Sequence, residues 1–253
     1  MQPRNARSLT ARSVIASTLL GTEPPRLPGR ALVQVVELFG ISDGTARTAL
    51  SRMVAAGELT ADDGSYELTG SRLLERQARQ SASRRAMRHR WHGGWLMAIV
   101  VQERRDAGAR ADLRAALESA RLAELREGVW LRPDNIDVIW PDVVRDQCTI
   151  VHARDVDPSL VGRLWDQAAW AATAMALRGA IAELVEPLES GDTAALADGF
   201  VVSAAVLRHF QADPLLPEEL LPREWPGTAL RTEYDRFDDA YRAVLRDWFR
   251  RLQ

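Results

Sequence analysis

The sequence contains no lysine, so arginine supplies all 33 of its basic side chains. A single cysteine, Cys148, excludes an intramolecular disulfide and any metal site built from several thiolates. An uninterrupted apolar run of membrane-spanning length is also absent. The longest apolar stretch, residues 165–185, is interrupted by four polar side chains, those of Asp166, Gln167, Arg178 and Glu183.

No secretory signal is expected either, because residues 1–10 are polar and have no apolar core. We therefore expect a cytoplasmic protein without a membrane partner. Hydrophobic residues at 46% and charged residues at 27% are ordinary proportions for a globular protein. With 253 residues, the chain is long enough for two or three domains.

The net charge of -2 conceals opposite balances in two parts of the chain. Residues 1–90 carry 14 arginines against 8 acidic residues, a balance of +6. The remainder carries 19 arginines against 27 acidic residues, a balance of -8, and it holds all 8 tryptophans, beginning with Trp91. A basic N-terminal part on an acidic body indicates that only the first part meets an anionic polymer such as DNA.

Residues 41–57 combine the features of a DNA-reading helix. Ser42 stands at an N-cap position and Gly57 at a C′ position. One side of the intervening helix is apolar, with Ala46, Ala49, Leu50, Met53 and Val54. The opposite side is small and polar, with Gly44, Thr48, Ser51 and Ala55 between Arg47 and Arg52. The pattern predicts the recognition helix of a helix-turn-helix motif.

The neighbouring segments complete this motif. Two helices are predicted before it, at residues 11–20 and 29–39, and a short turn leads into the third helix. Strands are predicted at residues 58–61 and 65–68, on either side of an Asp-Gly turn signal. Three helices followed by a two-stranded ribbon predict a winged helix. An unrelated three-helix module is the alternative, and the ribbon disfavours it.

The rest of the chain predicts a connector and two further domains. An arginine-rich helix follows the ribbon. A strand (95–101), a helix (111–125) and three more strands (128–133, 135–140 and 147–152) predict a small α+β domain of the ferredoxin-like type. Helices are expected at residues 160–188 and 193–211, and in a last helix with an a/d seam of six residues: Leu230, Tyr234, Phe237, Tyr241, Val244 and Trp248. Packing of this seam in the chain's own core is favoured over a dimer seam.

The predicted fold class is thus α+β and multidomain. Its parts are an N-terminal winged helix-turn-helix DNA-binding domain, an arginine-rich connector helix, a central ferredoxin-like domain and a helical C-terminal domain. Their predicted bounds are 1–70, 71–90, 91–157 and 158–253.

The whole chain resembles the PaaX family of bacterial transcriptional regulators, named for repressors of phenylacetic acid degradation. Four blocks carry the resemblance: residues 40–57, Trp91 with Trp95, Gly128–Pro133, and Asp213–Gly227. The resemblance implies the same three domains. It also implies a homodimer and a response to an aryl-acyl-CoA thioester such as phenylacetyl-CoA.

The function expected from motif and resemblance together is that of a DNA-binding transcriptional regulator, a repressor rather than an activator. It would bind double-stranded operator DNA, use no cofactor or metal and catalyse no reaction. Arginines can contact guanine or phosphate, hydroxyl groups allow close approach, and helix N-terminal amides suit a phosphate. The predicted DNA contacts are Ser42, Gly44, Thr45, Arg47, Thr48, Ser51, Arg52 and, in the ribbon, Ser65. The sequence does not indicate which residues bind the effector.

Two other functions stay open. A nucleic-acid-processing enzyme could use the carboxylate pair Asp134 and Asp137 of the central domain, although turn formation around Asn135 is favoured there. His89 and His92 have no third ligand at a metal-binding spacing. A protein-interaction scaffold could instead use the C-terminal seam.

Overall fold

The computed structural model of the protein describes residues 10–22, 24–70, 75, 84, 88–102 and 106–251. The chain forms two compact units, each discontinuous in sequence. The first comprises residues 1–84, 176–211 and 229–253, and the second comprises residues 85–175 and 212–228. Within the described ranges the fold is α+β with two small antiparallel sheets, which confirms the predicted mixed class. The four-part division of the chain stays a prediction.

Three helices open the first unit: α1 (Ala11–Leu20), α2 (Gly29–Leu38) and α3 (Asp43–Ala55). Their starts follow from local sequence, because Thr10 forms a capping box with Ser13 and Ser42 caps α3. Their apolar sides meet in one core, to which the three helices contribute Val14, Ile15, Leu19, Leu32, Val35, Val36, Ala46, Leu50 and Met53.

A three-stranded sheet packs beside these helices. It consists of β1 (Arg26–Pro28), β2 (Leu59–Asp62) and β3 (Ser65–Leu68), in the order β1-β3-β2. Asp63 and Gly64 at the tip of the β2–β3 hairpin both have positive φ, 45° and 71°. Left-handed backbone at both central residues is the conformation that an Asp-Gly turn supplies in a tight hairpin. The predicted ribbon is therefore present, and β1 adds a strand that the sequence analysis did not predict.

The second unit contains the other sheet. Its elements are β4 (Trp95–Val100), α4 (Ala107–Ser119), β5 (Ala123–Arg126), β6 (Val129–Pro133), α5 (Asp142–Gln147) and β7 (Cys148–Ala153). The strands run antiparallel in the order β5-β6-β4-β7. One cluster of buried side chains packs with α4 and α5, including Leu113, Leu117, Trp130 and Val144. A second cluster contains Trp95, Leu131, Val161 and Leu216.

Two secondary-structure predictions in this unit are wrong. The helix predicted at 111–125 begins earlier, because the Asp106 side chain caps it at Ala109, and it ends before Arg121, whose φ of 66° breaks the helical backbone. The strand predicted at 135–140 does not form. Asn135 turns the chain there, since its amide N–H bonds to the Pro133 carbonyl and its side chain bonds to the Leu215 carbonyl.

The single helix predicted at 160–188 is divided. A 3-10 turn (Pro158–Leu160) and α6 (Val161–Leu164) come first, and α7 (Gln167–Glu189) follows. Trp165 is extended between them, and Asp166 caps the new helix by accepting a hydrogen bond from the Ala169 amide at 2.9 Å. Among the described helices, α7 alone has the length and apolar composition to cross a membrane.

The chain ends in α8 (Ala195–Gln211) and α9 (Gly227–Arg251), which both belong mainly to the first unit. In the predicted seam of α9, Leu230, Tyr234, Phe237 and Val244 are buried, and Tyr241 and Trp248 are half-buried. Gly199 of α8 allows this packing, because a Cβ there would lie 2.8 Å from the Tyr241 ring. The seam is therefore core, as favoured from the sequence.

The N-terminal helices and the C-terminal helices share one core. Phe39 at the end of α2 meets Phe200 of α8 edge to face, with ring centroids 5.0 Å apart. Trp248 and Phe249 of α9 pack on the N-terminal cluster. Most of the predicted connector, residues 71–90, lies outside the described residues. Within it Arg84 bonds to Asp235 Oδ1 at 2.8 Å and to Asp238 Oδ2 at 2.6 Å.

Candidate nucleic-acid interface

The outward side of α3 presents the predicted contact residues. Seven of them, from Ser42 to Arg52, are exposed, and Ser65 is half-buried at the start of β3. The polar groups at the start of the helix bond locally: Ser42 Oγ lies 2.9 Å from Thr45 Oγ1, and Thr48 Oγ1 donates to the Gly44 carbonyl at 2.8 Å. This side is smooth because small residues alternate with short hydroxyl side chains.

A groove of about 750 Å³ runs along this side of α3 and the start of α1. Five predicted contacts line it: Ser42, Gly44, Thr45, Thr48 and Arg52. Thr10 and Arg12 line the opposite wall, and the sequence analysis did not single them out. The Thr10 cap could have been found from its capping box. The position of Arg12 could not, because its partner Glu58 is 46 residues away, with Arg12 Nε 2.9 Å from Glu58 Oε2.

The two arginines of α3 are in different electrostatic states. Arg47 Nε lies 2.5 Å from Asp43 Oδ1 and its Nη2 lies 3.0 Å from Asp43 Oδ2. This hydrogen-bonded pair lowers the pKa of Asp43 and raises the pKa of Arg47. Arg52, in contrast, has no carboxylate partner within the described part of the chain. The guanidinium of Arg52 therefore lies beside the groove without a described carboxylate to offset its charge.

At the tip of the hairpin an arginine offsets the acidic residues. Arg26 of β1 places Nη2 3.1 Å from Asp62 Oδ2 and Nη1 3.9 Å from Glu67 Oε2. Ser65 pairs in register with Asp62 and Pro28. The hairpin therefore carries its own counter-charge, which the sequence analysis did not foresee because β1 was not predicted.

The residues considered for catalysis lie in the second unit. Asp134 Oδ2 is 3.4 Å from His152 Nδ1, and Asp137 is exposed. No group of three or more His, Cys, Asp or Glu side chains suited to a metal ion occurs among the described residues.

A buried arginine joins two of the sequence blocks quoted above. Arg132 is fully buried, and it donates to the Pro133 carbonyl and to Asn135 Oδ1, both at 2.9 Å. Asn135 in turn donates to the Leu215 carbonyl, also at 2.9 Å. Burial, followed by the nearby charge of Arg121, lowers the pKa of Arg132 to about 9. The Gly128–Pro133 and Asp213–Gly227 blocks are thus tied together by a buried polar network.

A second cavity lies within the first unit, where the end of α1 meets α8 and α9. It measures about 200 Å³ and is lined by aromatic, hydroxyl and arginine side chains, among them Thr18, Arg84, Ser203, Tyr234, Tyr241 and Arg242. Ser203 Oγ and Tyr234 Oη are 2.9 Å apart, and the Arg84 guanidinium lies 5.1 Å from the centre of the Tyr234 ring. Burial raises the pKa of Tyr234 to about 12 from its ordinary value of 10.

Comparisons with known proteins identify the family of this chain. Residues 10–72 match the family model described as PaaX-like protein, and residues 165–251 match the PaaX-like protein C-terminal domain. The solved structure of the uncharacterized protein Rv0674 from Mycobacterium tuberculosis is 41% identical, with a TM-score of 0.78. The match covers 95% of this chain and 99% of that one. A search of the curated proteins gives no match.

The chain therefore belongs to the PaaX-like family, as its four sequence blocks indicated. Proteins of that family are regulators, and a regulatory role is the class of function that this membership supports.

Proposed function

We propose that the protein is a DNA-binding transcriptional regulator whose N-terminal helices and β1-β3-β2 sheet act as a winged helix-turn-helix. The order of three helices and an antiparallel hairpin supports this assignment. The observation that carries it is the exposed side of α3, where Gly44, Thr48 and Ser51 leave room for a duplex and Arg52 has no carboxylate partner among the described residues. Such a surface suits a helix that enters the major groove.

Each predicted contact then has a role. Arg52, and Arg47 once it leaves Asp43, would contact guanine edges or phosphate oxygens. Ser42 and Thr45 stand at the N-terminus of α3, where free amides and the helix dipole favour a phosphate. Thr10 and Arg12 face the same groove and would hold the strand from its other side. Ser65 would contact the backbone from the hairpin.

The second unit supports a ferredoxin-like assignment. Its elements follow the order β-α-β-β-α-β, and the first and third strands, β4 and β6, lie at the centre of the sheet. The Arg132 network joins this sheet to the segment that contains Leu215. We assign to this unit a supporting role without catalysis.

An effector would act through the first unit, because the DNA-reading helices share their core with α8 and α9. The 200 Å³ cavity there is smaller than the 300–1,000 Å³ of typical small-molecule sites. It would hold the aryl end of an aryl-acyl-CoA, such as phenylacetyl-CoA, between Tyr234 and Tyr241. A ligand that separates α1 from these tyrosines would move the winged helix and relieve repression.

The proposal includes a cytoplasmic homodimer that acts as a repressor. Two-fold symmetric helix-turn-helix proteins bind half-sites about 34–36 Å apart, or a multiple of that distance. The operator of this protein is therefore expected to contain an inverted repeat with such a spacing.

Selection from a random-sequence duplex pool tests the DNA proposal. The full chain should enrich an inverted repeat, and Arg52→Ala should retain the selected duplex at least tenfold more weakly. Arg246→Ala, an exposed charge on α9, is the matched control for net charge. Absence of enrichment, or equal retention by both variants, would contradict the proposed role of α3.

Adding phenylacetyl-CoA to the retained complex tests the effector, with CoA alone as the control. Release by the thioester, and its loss in Ala204→Leu, whose larger side chain fills the cavity, are the expected results. If the thioester releases no DNA, the effector proposal fails and the DNA proposal stands.

One specific observation favours the enzyme alternative: Asp134 Oδ2 lies 3.4 Å from His152 Nδ1. Incubation of the protein with nucleic acid and Mg²⁺ tests it. Cleavage by the wild type that disappears in Asp137→Ala would favour a nuclease over a regulator. The scaffold alternative is weakened, because its seam is occupied by the chain's own core.

A further inference from the structure

A further cavity lies within the first unit, where the C-terminal part of α9 passes the junction of β1 and α2. It measures about 280 Å³, close to the lower end of the range of roughly 300–1,000 Å³ for small-molecule sites. Three of its described lining residues are arginines, Arg30, Arg246 and Arg250, and none is acidic. Neither the groove along α3 nor the cavity assigned to the aryl-acyl-CoA includes these arginines.

The three arginines differ in their partners. Arg250 forms an ion pair with Asp247, three residues earlier in α9. Arg30 of α2 and Arg246 of α9 are exposed, and neither has a carboxylate partner among the described residues. A phosphate monoester carries a charge of about −1.5 to −2 at pH 7. It therefore matches these two guanidinium groups, whereas one carboxylate would neutralise only one of them.

The rest of the lining is mainly apolar. Leu27 and Pro28 of β1 contribute to it, and so do Ala31 of α2 and Phe249 of α9. The half-buried Phe249 ring meets Trp248 edge to face, with ring centroids 5.3 Å apart, which fixes its orientation. A flat ring gains free energy by packing against such an aromatic side chain. An inorganic anion would contact the arginines and leave this apolar part of the cavity unused.

We propose that this cavity binds an organic phosphate monoester with a flat ring, the chemistry of a nucleoside monophosphate. Arg30 and Arg246 hold the phosphate, and the ring lies against Phe249 and Leu27. Gln34, which also lines the cavity, has an amide that can donate to or accept from the polar edge of the ring. The same chemistry has two sources, a free mononucleotide and the 3′-phosphoadenosine end of a CoA thioester. The second source rests on the effector of the proposed function.

A phosphate of a DNA duplex is the competing occupant, because the hairpin is close. The Gly29 amide, where β1 leads into α2, donates to the Gly64 carbonyl at the hairpin tip at 2.9 Å. The apolar part of the lining favours the nucleotide instead. The bases of a duplex are stacked on one another and would have to leave the stack to reach it, whereas a free nucleotide fills both the basic and the apolar part.

Calorimetric titration of the full chain with adenosine 3′-monophosphate tests the site, with adenosine and inorganic phosphate as control ligands. The monophosphate should bind about tenfold more tightly than either control, because each control occupies only one part of the cavity. Arg30→Gln and Arg246→Gln should each weaken its binding about tenfold. Arg208→Gln, exposed on α8 and outside the lining, is the matched control for charge. Equal binding of inorganic phosphate, or unchanged binding by both cavity variants, overturns the proposal.

Gln34→Phe distinguishes a cavity from a charged surface. It fills the cavity with a ring and removes no charge, so the monophosphate should bind about tenfold more weakly. Unchanged binding would mean that the arginines attract any anion at the surface, and it overturns the proposal. Duplex retention without nucleotide is measured for Arg30→Gln and Arg246→Gln and should equal that of the wild type. Weaker retention assigns the cavity to DNA, overturns the nucleotide site and leaves the role of α3 intact.

CoA and dephospho-CoA, which differ only in the 3′-phosphate, identify the source of the ligand. If CoA binds about tenfold more tightly and Arg246→Gln removes the difference, the site holds the nucleotide end of a CoA thioester. If the two bind equally while adenosine 3′-monophosphate still binds, the ligand is a free mononucleotide. Both results support the site, and release of DNA by phenylacetyl-CoA reports separately on the effector.

Discussion

Arg47 forms a bidentate ion pair with Asp43, one turn earlier in α3, with Nε 2.5 Å from Oδ1 and Nη2 3.0 Å from Oδ2. Arg52, at the other end of the helix, has no such partner within the described residues. The two arginines look equivalent in the sequence, but Arg47 would have to break its ion pair with Asp43 to contact a duplex, whereas Arg52 would not.

This difference predicts unequal substitution effects. Arg52→Ala should lose about 1–3 kcal/mol of binding to the selected duplex. Arg47→Ala should lose less, since its bond to Asp43 is broken in the complex. Asp43→Asn should strengthen binding, because it releases the Arg47 guanidinium. A titration of duplex retention by the three variants checks this order of affinities. Equal losses of affinity for Arg47→Ala and Arg52→Ala would show that the ion pair of Arg47 with Asp43 does not persist in solution.

The hairpin tip gives a second prediction. Asp62→Asn removes the carboxylate that pairs with Arg26, so the arginine becomes available to a phosphate. Binding should tighten for all duplex sequences alike, and the slope of log K against log salt should steepen by about 1. Asp63→Asn is the control, because it removes the same charge from the same turn and leaves Arg26 paired. Identical slopes for the two variants would mean that net charge alone governs the effect.

The buried network predicts a loss of stability. Arg132→Met leaves Asn135 Oδ1 and the Pro133 carbonyl without their donor in a region closed to water. The free energy of unfolding should fall by about 3 kcal/mol, measured by denaturant titration. Arg163→Met, at an exposed position of α6, should change it by less than about 0.5 kcal/mol. If Arg132→Met left the free energy of unfolding unchanged, the network would make no net contribution to stability.

Burial of tyrosine predicts a loss of stability in alkali. The pKa of Tyr234 is raised to about 12 from an ordinary value of 10, mainly by burial. The stabilisation that the neutral phenol of Tyr234 gives to the folded state is complete below pH 10. It is lost as the pH rises towards 12, because in that interval the phenol ionises only in the unfolded chain. Two pKa units correspond to about 2.7 kcal/mol. Burial also raises the pKa of Tyr241, which adds to the loss.

Denaturant titrations across this interval check the effect, and Tyr234→Phe should flatten the fall between pH 10 and 12. Ser203→Ala is the control, since it removes the hydrogen bond to Tyr234 and keeps the phenol. The buried Arg132 acts in the opposite sense: its folded pKa of about 9 lies below its ordinary 12.5, so its contribution to stability rises above pH 9. Tyr234→Phe does not affect the contribution of Arg132. If Tyr234→Phe left the fall of the free energy of unfolding between pH 10 and 12 unchanged, the assignment of that fall to Tyr234 would be wrong.

Local sequence was sufficient where local rules decide structure. The Ser42 cap, the apolar side of α3 and the Asp63-Gly64 turn are each fixed by neighbours within a few residues. Those features gave the N-terminal helices, the hairpin and the side of α3 that faces outward. The seam of α9 could also be read from its spacing, and it was correctly judged to be core.

Distant contacts decided what could not be predicted. β1 is three residues long and exists because Arg26 pairs with Glu67, 41 positions later. The Asn135 side chain donates to the carbonyl of Leu215, 80 residues away. This contact stabilises a buried turn where the composition of residues 135–140 predicted a strand. The partners of Arg12 and Arg26 set the electrostatics of the groove and the hairpin, and periodicity contains no information about either pair.

The shared core of the first unit also has a consequence for synthesis on the ribosome. Trp248 and Phe249, which cover the N-terminal cluster, lie in α9 and are translated after every other described element of the first unit. The second unit, apart from residues 212–228, is complete long before them. The N-terminal helices are therefore translated before α9 but reach their final packing only after it, and a nascent chain stalled before α9 would expose to chaperones and proteases the part of the N-terminal cluster that Trp248 and Phe249 cover.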